Sequence, residues 1–146
     1  AGSGFGALTA IRSLRKLGIS DRITLVSPQP ELFYYPSLIW VPSGRRTRSD
    51  LTIDLHGFFR RHQVNWQQGM VTGIDGKAKK LNTTAGDLAY DYLVIASGGR
   101  YIKKLPGIEH AFLPCEGYDA CAGIRDRLKS MNGGNISLGF AGNPKE

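Results

Sequence analysis

The chain has 146 residues, 41% hydrophobic and 21% charged, with a formal net charge of +7 and two cysteines. That length is one domain's worth and can bury its own core, and the composition excludes disordered and collagen-like classes. No apolar run approaches the ~20 residues needed to cross a bilayer, and the cysteines are too few for a disulfide scaffold or a zinc site, so no metal is expected.

Residues 1–7 read Ala-Gly-Ser-Gly-Phe-Gly-Ala, in which Gly2, Gly4 and Ala7 fit G-x-G-x-x-[G/A]. That turn lets a backbone approach a pyrophosphate and aims the following helix N-terminus at it. One residue precedes Gly2, so the chain is read as starting at the end of a first strand. Ala7, Ala10, Ile11, Leu14 and Leu17 then fall at helical spacing, and Gly18 marks the helix end. Ile23–Ser27 is a short apolar, β-branched run stopped by Pro28, the pattern of a strand buried in a parallel sheet. Turn, helix and strand together make a βαβ unit. At the end of such a strand an Asp or Glu commonly holds a ribose hydroxyl. Ser27 stands there instead, with no arginine immediately after it to take a 2′-phosphate.

Residues 28–42, rich in proline and aromatics and without period, read as a loop packed on something large and flat. Ser49-Asp50 caps an expected helix with Leu51, Leu55, Phe58, Phe59 and His62 on one face. His56 and His62 have no metal-spaced partners and read as structural. Positive charge clusters only at Arg45-Arg46-Thr47-Arg48 and around Lys77–Lys80, without interleaved aromatics, so no nucleic-acid partner is expected. Residues 64–74 read as one strand continuing past Gly69. Asp75-Gly76 signals a turn, and 79–83 and 86–90 read as short antiparallel strands. Tyr92–Ala96 is a wholly apolar strand closing on Ser97-Gly98-Gly99, where small residues allow close approach of a ligand. A helix from about Tyr118 to Met131 carries Cys121, Ile124 and Leu128 on one face, and Cys121 reads as a small buried hydrophobe. A strand over 135–140 and the turn Ala141-Gly142-Asn143-Pro144 read as the opening of a second nucleotide-binding unit.

In order and spacing these pieces resemble the N-terminal FAD-binding portion of the FAD-dependent pyridine nucleotide-disulfide oxidoreductases. The likeness rests on the turn at Gly2–Ala7, the Ser27-Pro28 strand end, the Gly69-Met70-Val71 strand, and the run from Tyr90 to Gly98, similar to the family's second FAD motif. Within the family, Tyr35-Pro36-Ser37, Trp40-Val41 and Cys115 followed by Tyr118-Asp119-Ala120 resemble the sulfide:quinone oxidoreductase and flavocytochrome c sulfide dehydrogenase branch. The resemblance implies an α/β Rossmann-like fold with a parallel sheet and a small antiparallel meander, truncated at both ends. Residues 1–110 would be the FAD-binding domain, and 111–146 a connection and the start of an NAD-type domain. Gly2, Ser3, Gly4, Phe5, Gly6 and Ala7 would line the FAD pyrophosphate, Ser27 and Pro28 the adenosine ribose, Val71 the adenine, and Pro36 with Ala96, Ser97 and Gly98 the flavin end.

Cys115 is the catalytic candidate, because sulfide oxidisers carry sulfur on cysteines beside the flavin. The later turn at 141–144, where a second such cysteine would stand, has none, and the Cys-x4-Cys of disulfide reductases is missing from 32–42. The resemblance implies an FAD enzyme in the full-length parent that passes electrons from sulfide or NAD(P)H to a quinone-like acceptor, the fragment alone being inactive. A type II NADH dehydrogenase-like flavoprotein and a nucleotide-binding module without catalysis are the alternatives. Peripheral membrane association and a homodimer are compatible with it, and the location stays open between cytoplasmic and membrane-associated.

Overall fold

The computed structural model describes residues 1–99 and 102–139. Packing divides them into two compact units, one of Ala1–Phe33 with Thr52–Gly99, the other of Tyr34–Leu51 with residues after Gly99.

The first unit opens with helix α1, Phe5–Lys16. Its apolar face buries Ala7 and Ile11, whereas Leu17 at the far end is 76% exposed. The helix stops as its sequence dictates. Gly18 takes φ +79°, its N–H bonds Arg15 O, and Ile19 N–H bonds Leu14 O, a pair of reverse bonds that satisfies the last carbonyls. The Arg15 side chain ties this end to the rest of the unit, donating to His62 O at 2.8 Å and Gln63 O at 3.1 Å.

Strand β1 (Ile23–Ser27) pairs in parallel with β4 (Val64–Gln68), from Ile23 opposite Val64 to Ser27 opposite Gln68. Leu25, Val64, Ala7 and Ile11 join Leu32, Leu55 and Phe59 in one core. Each large aliphatic buried there contributes about 1.5–3 kcal/mol by leaving water.

Several expected elements are different. The aromatic stretch after Pro28 is not all loop. Glu31–Phe33 forms β2, which pairs antiparallel with β3, Thr52–Asp54. The helix expected across 49–62 is therefore interrupted. It consists of a short helix α2 (Arg48–Leu51), then β3, then α3 (His56–His62). Thr52 and Ile53 are β-branched and favour the extended ladder over continued helix. Asp54 then restarts the helix by accepting from His56 N at 3.1 Å and meeting His56 Nδ1 at 2.6 Å. The hydrogen bond from His56 holds the Asp54 carboxyl below its ordinary value.

The strand expected through Gly69 is likewise two strands. Gly69 N–H closes the β1–β4 ladder on Ser27 O at 3.1 Å, and Met70 turns to exchange bonds with Thr84. From there β5 (Val71–Asp75), β6 (Lys80–Thr83) and β7 (Leu88–Ala89) form an antiparallel meander with a register shift between Val71 and Gly73. Asp75 Oδ1 accepts the N–H groups of Lys77 and Ala78 and so builds the turn that its sequence signalled.

Residues 92–96, expected as a buried strand, form no ladder among the described residues. Tyr92 is 95% exposed and Ile95 62%. Ala1 bonds this segment at Val94 and Ala96.

In the second unit, a 3-10 helix at Tyr35–Trp40 replaces the expected loop, with Pro36 in its first turn where a missing N–H does no harm. Helix α4, Tyr118–Ser130, matches the expected helix. Cys121 is buried on it, and Gly123 leaves room for the Phe112 ring, which a Cβ would approach to 2.8 Å. Arg48 reaches Asp119 at 3.1 Å and stacks over Tyr118. The strand expected at 135–140 is not formed through Gly139, and Leu138 is 94% exposed. The rest of that element and the turn at 141–144 lie outside the described residues. Among the described residues no helix is long and apolar enough to cross a membrane.

Candidate functional site

The site begins at Ala1 and Gly2, which lie between two segments of the first unit. On one side Gly2 N–H donates to Val26 O at 2.9 Å. On the other, Ala1 N donates to Val94 O at 2.7 Å and Ala96 N–H donates to Ala1 O at 2.9 Å. The glycine-rich turn and the Ala96–Gly98 segment are thereby fastened together beside the carboxyl end of β1.

Gly2 is required by this geometry. Its φ is +101°, and a Cβ would stand 2.2 Å from Ala96 O and 2.8 Å from Ala96 C. No rotamer change relieves a clash with backbone. Gly4 differs: at φ −79° and ψ −176° its backbone suits any residue, and nothing lies within 4 Å of its would-be Cβ. The space that a side chain would fill is open.

Gly4 is also the N-cap of α1. Gly4 has no side chain with which to cap this end, and no acidic residue stands in the first turn. The first intrahelical bond is Leu8 N–H to Gly4 O. The N–H groups before it make a positive helix end suited to a phosphate. Ser3 is half-buried at the turn, Phe5 and Gly6 are exposed, and Ala7 is buried under α1. The Gly6 position touches Ala96, since a Cβ there would come to 3.5 Å of the Ala96 Cβ. Ser97 and Gly98 are exposed, Gly98 at φ +81°.

Ser27 lies at the end of β1, and its side chain is committed inside the protein. It is 1% exposed; its Oγ donates to Gln29 O at 2.7 Å and accepts from Trp66 Nε1 at 3.1 Å. A hydroxyl has one proton, already used, so only acceptor capacity remains to it. Pro28 is exposed, and its carbonyl accepts from Gln68 Nε2 at 3.1 Å. Trp66 and Gln68 escaped the sequence reading. The available signal was their strand: parallel pairing with β1 puts both on the face of Ser27. Val71 is exposed at the start of β5.

The structure thus brings Gly2–Ala7 and Ala96–Gly98 together, with Ser27, Pro28 and Val71 in the same unit. Pro36 and Cys115 belong to the second unit, Pro36 exposed in its 3-10 helix and Cys115 exposed in a 3-10 turn, Pro114–Glu116.

The model of the pyridine nucleotide-disulphide oxidoreductase family matches residues 1–143. The chain is 28% identical over 109 residues to the sulfide-quinone reductase of Aquifex aeolicus (strain VF5), covering 74% of this chain and 25% of that protein. It is 29% identical over 120 residues to the type II NADH:quinone oxidoreductase of Staphylococcus aureus (strain NCTC 8325 / PS 47), covering 76% and 29%. Among solved structures it is similar to the sulfide:quinone oxidoreductase of the hyperthermophilic bacterium Aquifex aeolicus, with TM-score 0.77 and 25% identity over 88% of this chain and 30% of that one. It is also similar to NDH2 from Plasmodium falciparum in complex with NADH, with TM-score 0.69 and 26% identity over 93% and 30%. The chain therefore spans about a quarter to a third of the length of these relatives. The α/β fold, with its parallel pair and antiparallel meander, is the Rossmann-like one expected. With a match that runs from residue 1 to residue 143, this chain belongs to the pyridine nucleotide-disulphide oxidoreductase family.

Proposed function

We propose that the chain is the FAD-binding part of an oxidoreductase that transfers electrons from sulfide or NAD(P)H to a quinone-like acceptor. The observation that carries this reading is the bonding of Ala1–Gly2 to both Val26 and Ala96, which sets the glycine turn and the 96–98 segment side by side. Residues 1–110 go with FAD in this reading, and 111–146 lead into a second nucleotide-binding domain.

The residues present fit the cofactor. The open space at Gly4 and the acid-free start of α1 suit a pyrophosphate. Gly2, Ser3, Gly4, Phe5, Gly6 and Ala7 would hold it through backbone N–H groups. Pro28 and the remaining acceptor capacity of Ser27 would border the ribose, Val71 the adenine, and Ala96, Ser97, Gly98 and Pro36 the flavin end. FAD, when bound, supplies the two-electron redox chemistry. The chain's residues bind and orient it, with Cys115 as the candidate sulfur carrier.

The relatives, a sulfide-quinone reductase and a type II NADH:quinone oxidoreductase, support an enzyme over a binding module and two donors, sulfide and NADH. Anaerobic addition of each donor to the FAD-loaded full-length parent tests the reading. Bleaching of the flavin absorbance by sulfide, followed by return of colour on adding a short-chain quinone, is the expected result. Bleaching by NADH alone selects the type II reading. A purified parent that takes up no FAD overturns both.

A further inference from the structure

Two places in this chain put glycine after a residue whose side-chain carbonyl the next backbone nitrogen can attack, Asp75-Gly76 and Asn132-Gly133. With no Cβ on the residue that attacks, nothing crowds the approach. The sequence ranks the two alike, and the structure separates them. At Asp75 the side chain is committed: its Oδ1 accepts the N–H groups of Lys77 at 3.0 Å and Ala78 at 2.9 Å, and the residue lies opposite Lys80 in the β5–β6 ladder. Turning that carboxyl onto the Gly76 nitrogen breaks both bonds.

Asn132 is exposed just past the end of α4. The helix is finished without it, since Met131 N–H donates to Leu128 O at 3.3 Å and Ser130 Oγ to Arg127 O at 2.8 Å. Among the described residues neither the Asn132 side-chain amide nor the Gly133 N–H makes a hydrogen bond. Gly133 and Gly134 both take positive φ, +135° and +115°, and a Cβ placed at Gly133 would meet open space. The other described asparagines are poorer sites. Asn65 and Asn82 sit in strands, Asn82 with its Nδ2 on Asp87 at 2.8 Å, and Asn135 precedes the β-branched Ile136.

We propose that Asn132 is a site of spontaneous deamidation, which places isoaspartate and aspartate just past α4. The Gly133 nitrogen gives up its proton to solvent and attacks Asn132 Cγ. The new C–N bond closes a succinimide ring, and the Cγ–Nδ2 bond breaks to release ammonia, which takes a proton back from solvent. Water then opens the ring. Breaking the bond from nitrogen to the side-chain carbonyl carbon leaves aspartate, and breaking the bond to the main-chain carbonyl carbon leaves isoaspartate. One water is consumed and one ammonia released, with no change of oxidation state. Each product adds a negative charge beyond the C-terminal end of α4, where the helix dipole disfavours an anion. Isoaspartate also lengthens the main chain by one carbon before Gly133. The inference stands independently of flavin binding.

The test incubates the folded full-length parent in mildly alkaline heavy-oxygen water, beside free peptides spanning residues 127–137 and 71–81, and follows both sites by peptide mass spectrometry. At Asn132 the parent should lose the amide nitrogen, take up one heavy oxygen and split into two isomers, at the rate of the free peptide. At Asp75 the folded parent should isomerise more than about tenfold slower than its free peptide, because the reaction waits on local opening of a hydrogen-bonded turn. Asn132→Gln should abolish the first reaction and leave the second unchanged. An Asn132 slowed in the folded parent as strongly as Asp75 overturns the proposal, and so does product that forms only in denaturant. Both are read from the wild type, so a poorly folded variant leaves the test intact.

Discussion

Gly2 and Gly4 both belong to one short motif, yet the structure assigns them different jobs, and alanine at each separates folding from binding. At Gly2 the added methyl would sit 2.2 Å from the Ala96 carbonyl oxygen, at a φ of +101°. The left-handed backbone alone costs about 1–2 kcal/mol for a residue with a Cβ. Relieving the clash means moving residues 1–2 away from 94–96, which breaks the bonds from Ala1 to Val94 and from Ala96 to Ala1 and strains the one from Gly2 to Val26. Each such bond is worth about 0.5–1.5 kcal/mol net, so Gly2→Ala destabilises by about 3–5 kcal/mol in all. At Gly4 the methyl enters open space at an ordinary φ, and the loss is limited to about 1 kcal/mol from the poorer N-cap. Urea denaturation of the three chains, followed by FAD titration monitored by flavin fluorescence, reads both effects. Gly4→Ala should fold nearly as well as the wild type and bind FAD more weakly, because its methyl occupies the cradle. The reasoning fails if the two variants lose equal stability, or if Gly4→Ala binds FAD with unchanged affinity.

Ser27→Ala should lose about 1–3 kcal/mol in the same denaturation assay, because Trp66 Nε1 is left without its partner, and Ser27→Ala/Trp66→Phe should lose less than the sum of the two single changes. Gln63 ends α3 at φ +50°, so Gln63→Gly should stabilise by about 0.5–1 kcal/mol, measured as a higher urea midpoint with an unchanged slope. The hydrogen-bonded pair Lys80–Asp87, at 2.6 Å, lowers the Asp87 pKa and raises that of Lys80. Its contribution is present above the ordinary carboxylate value of 3.8 and is lost as pH falls through the lowered Asp87 value. At the other extreme it is present below the ordinary 10.5 of lysine and is lost as pH rises through the raised Lys80 value. Both groups are solvent-exposed, so Tm differences between wild type and Asp87→Asn should appear between those limits, vanish in strong acid and shrink in high salt.

Local signals in the sequence sufficed wherever the cause was local. The Gly18 helix stop, the Ile23–Ser27 strand, the Asp75-Gly76 turn and the α4 helix each follow from residues within a few positions, and each is where it was expected. The glycine turn was legible for the same reason, since φ and Cβ space leave a mark in residue type. Elements that depend on distant partners were not legible. Thr52–Asp54 becomes a strand only because Glu31–Phe33 comes alongside, and 92–96, apolar enough for a strand, pairs with no strand among the described residues. Ser27 illustrates the same division at the site. Its position at the strand end could be read in one dimension, but besides the local bond to Gln29 its hydroxyl is claimed by Trp66, 39 residues away, through a parallel register that no local pattern encodes. Sequence decided where the backbone could turn; tertiary structure decided which polar atoms were already satisfied, because a hydrogen bond needs a partner in space and not in order.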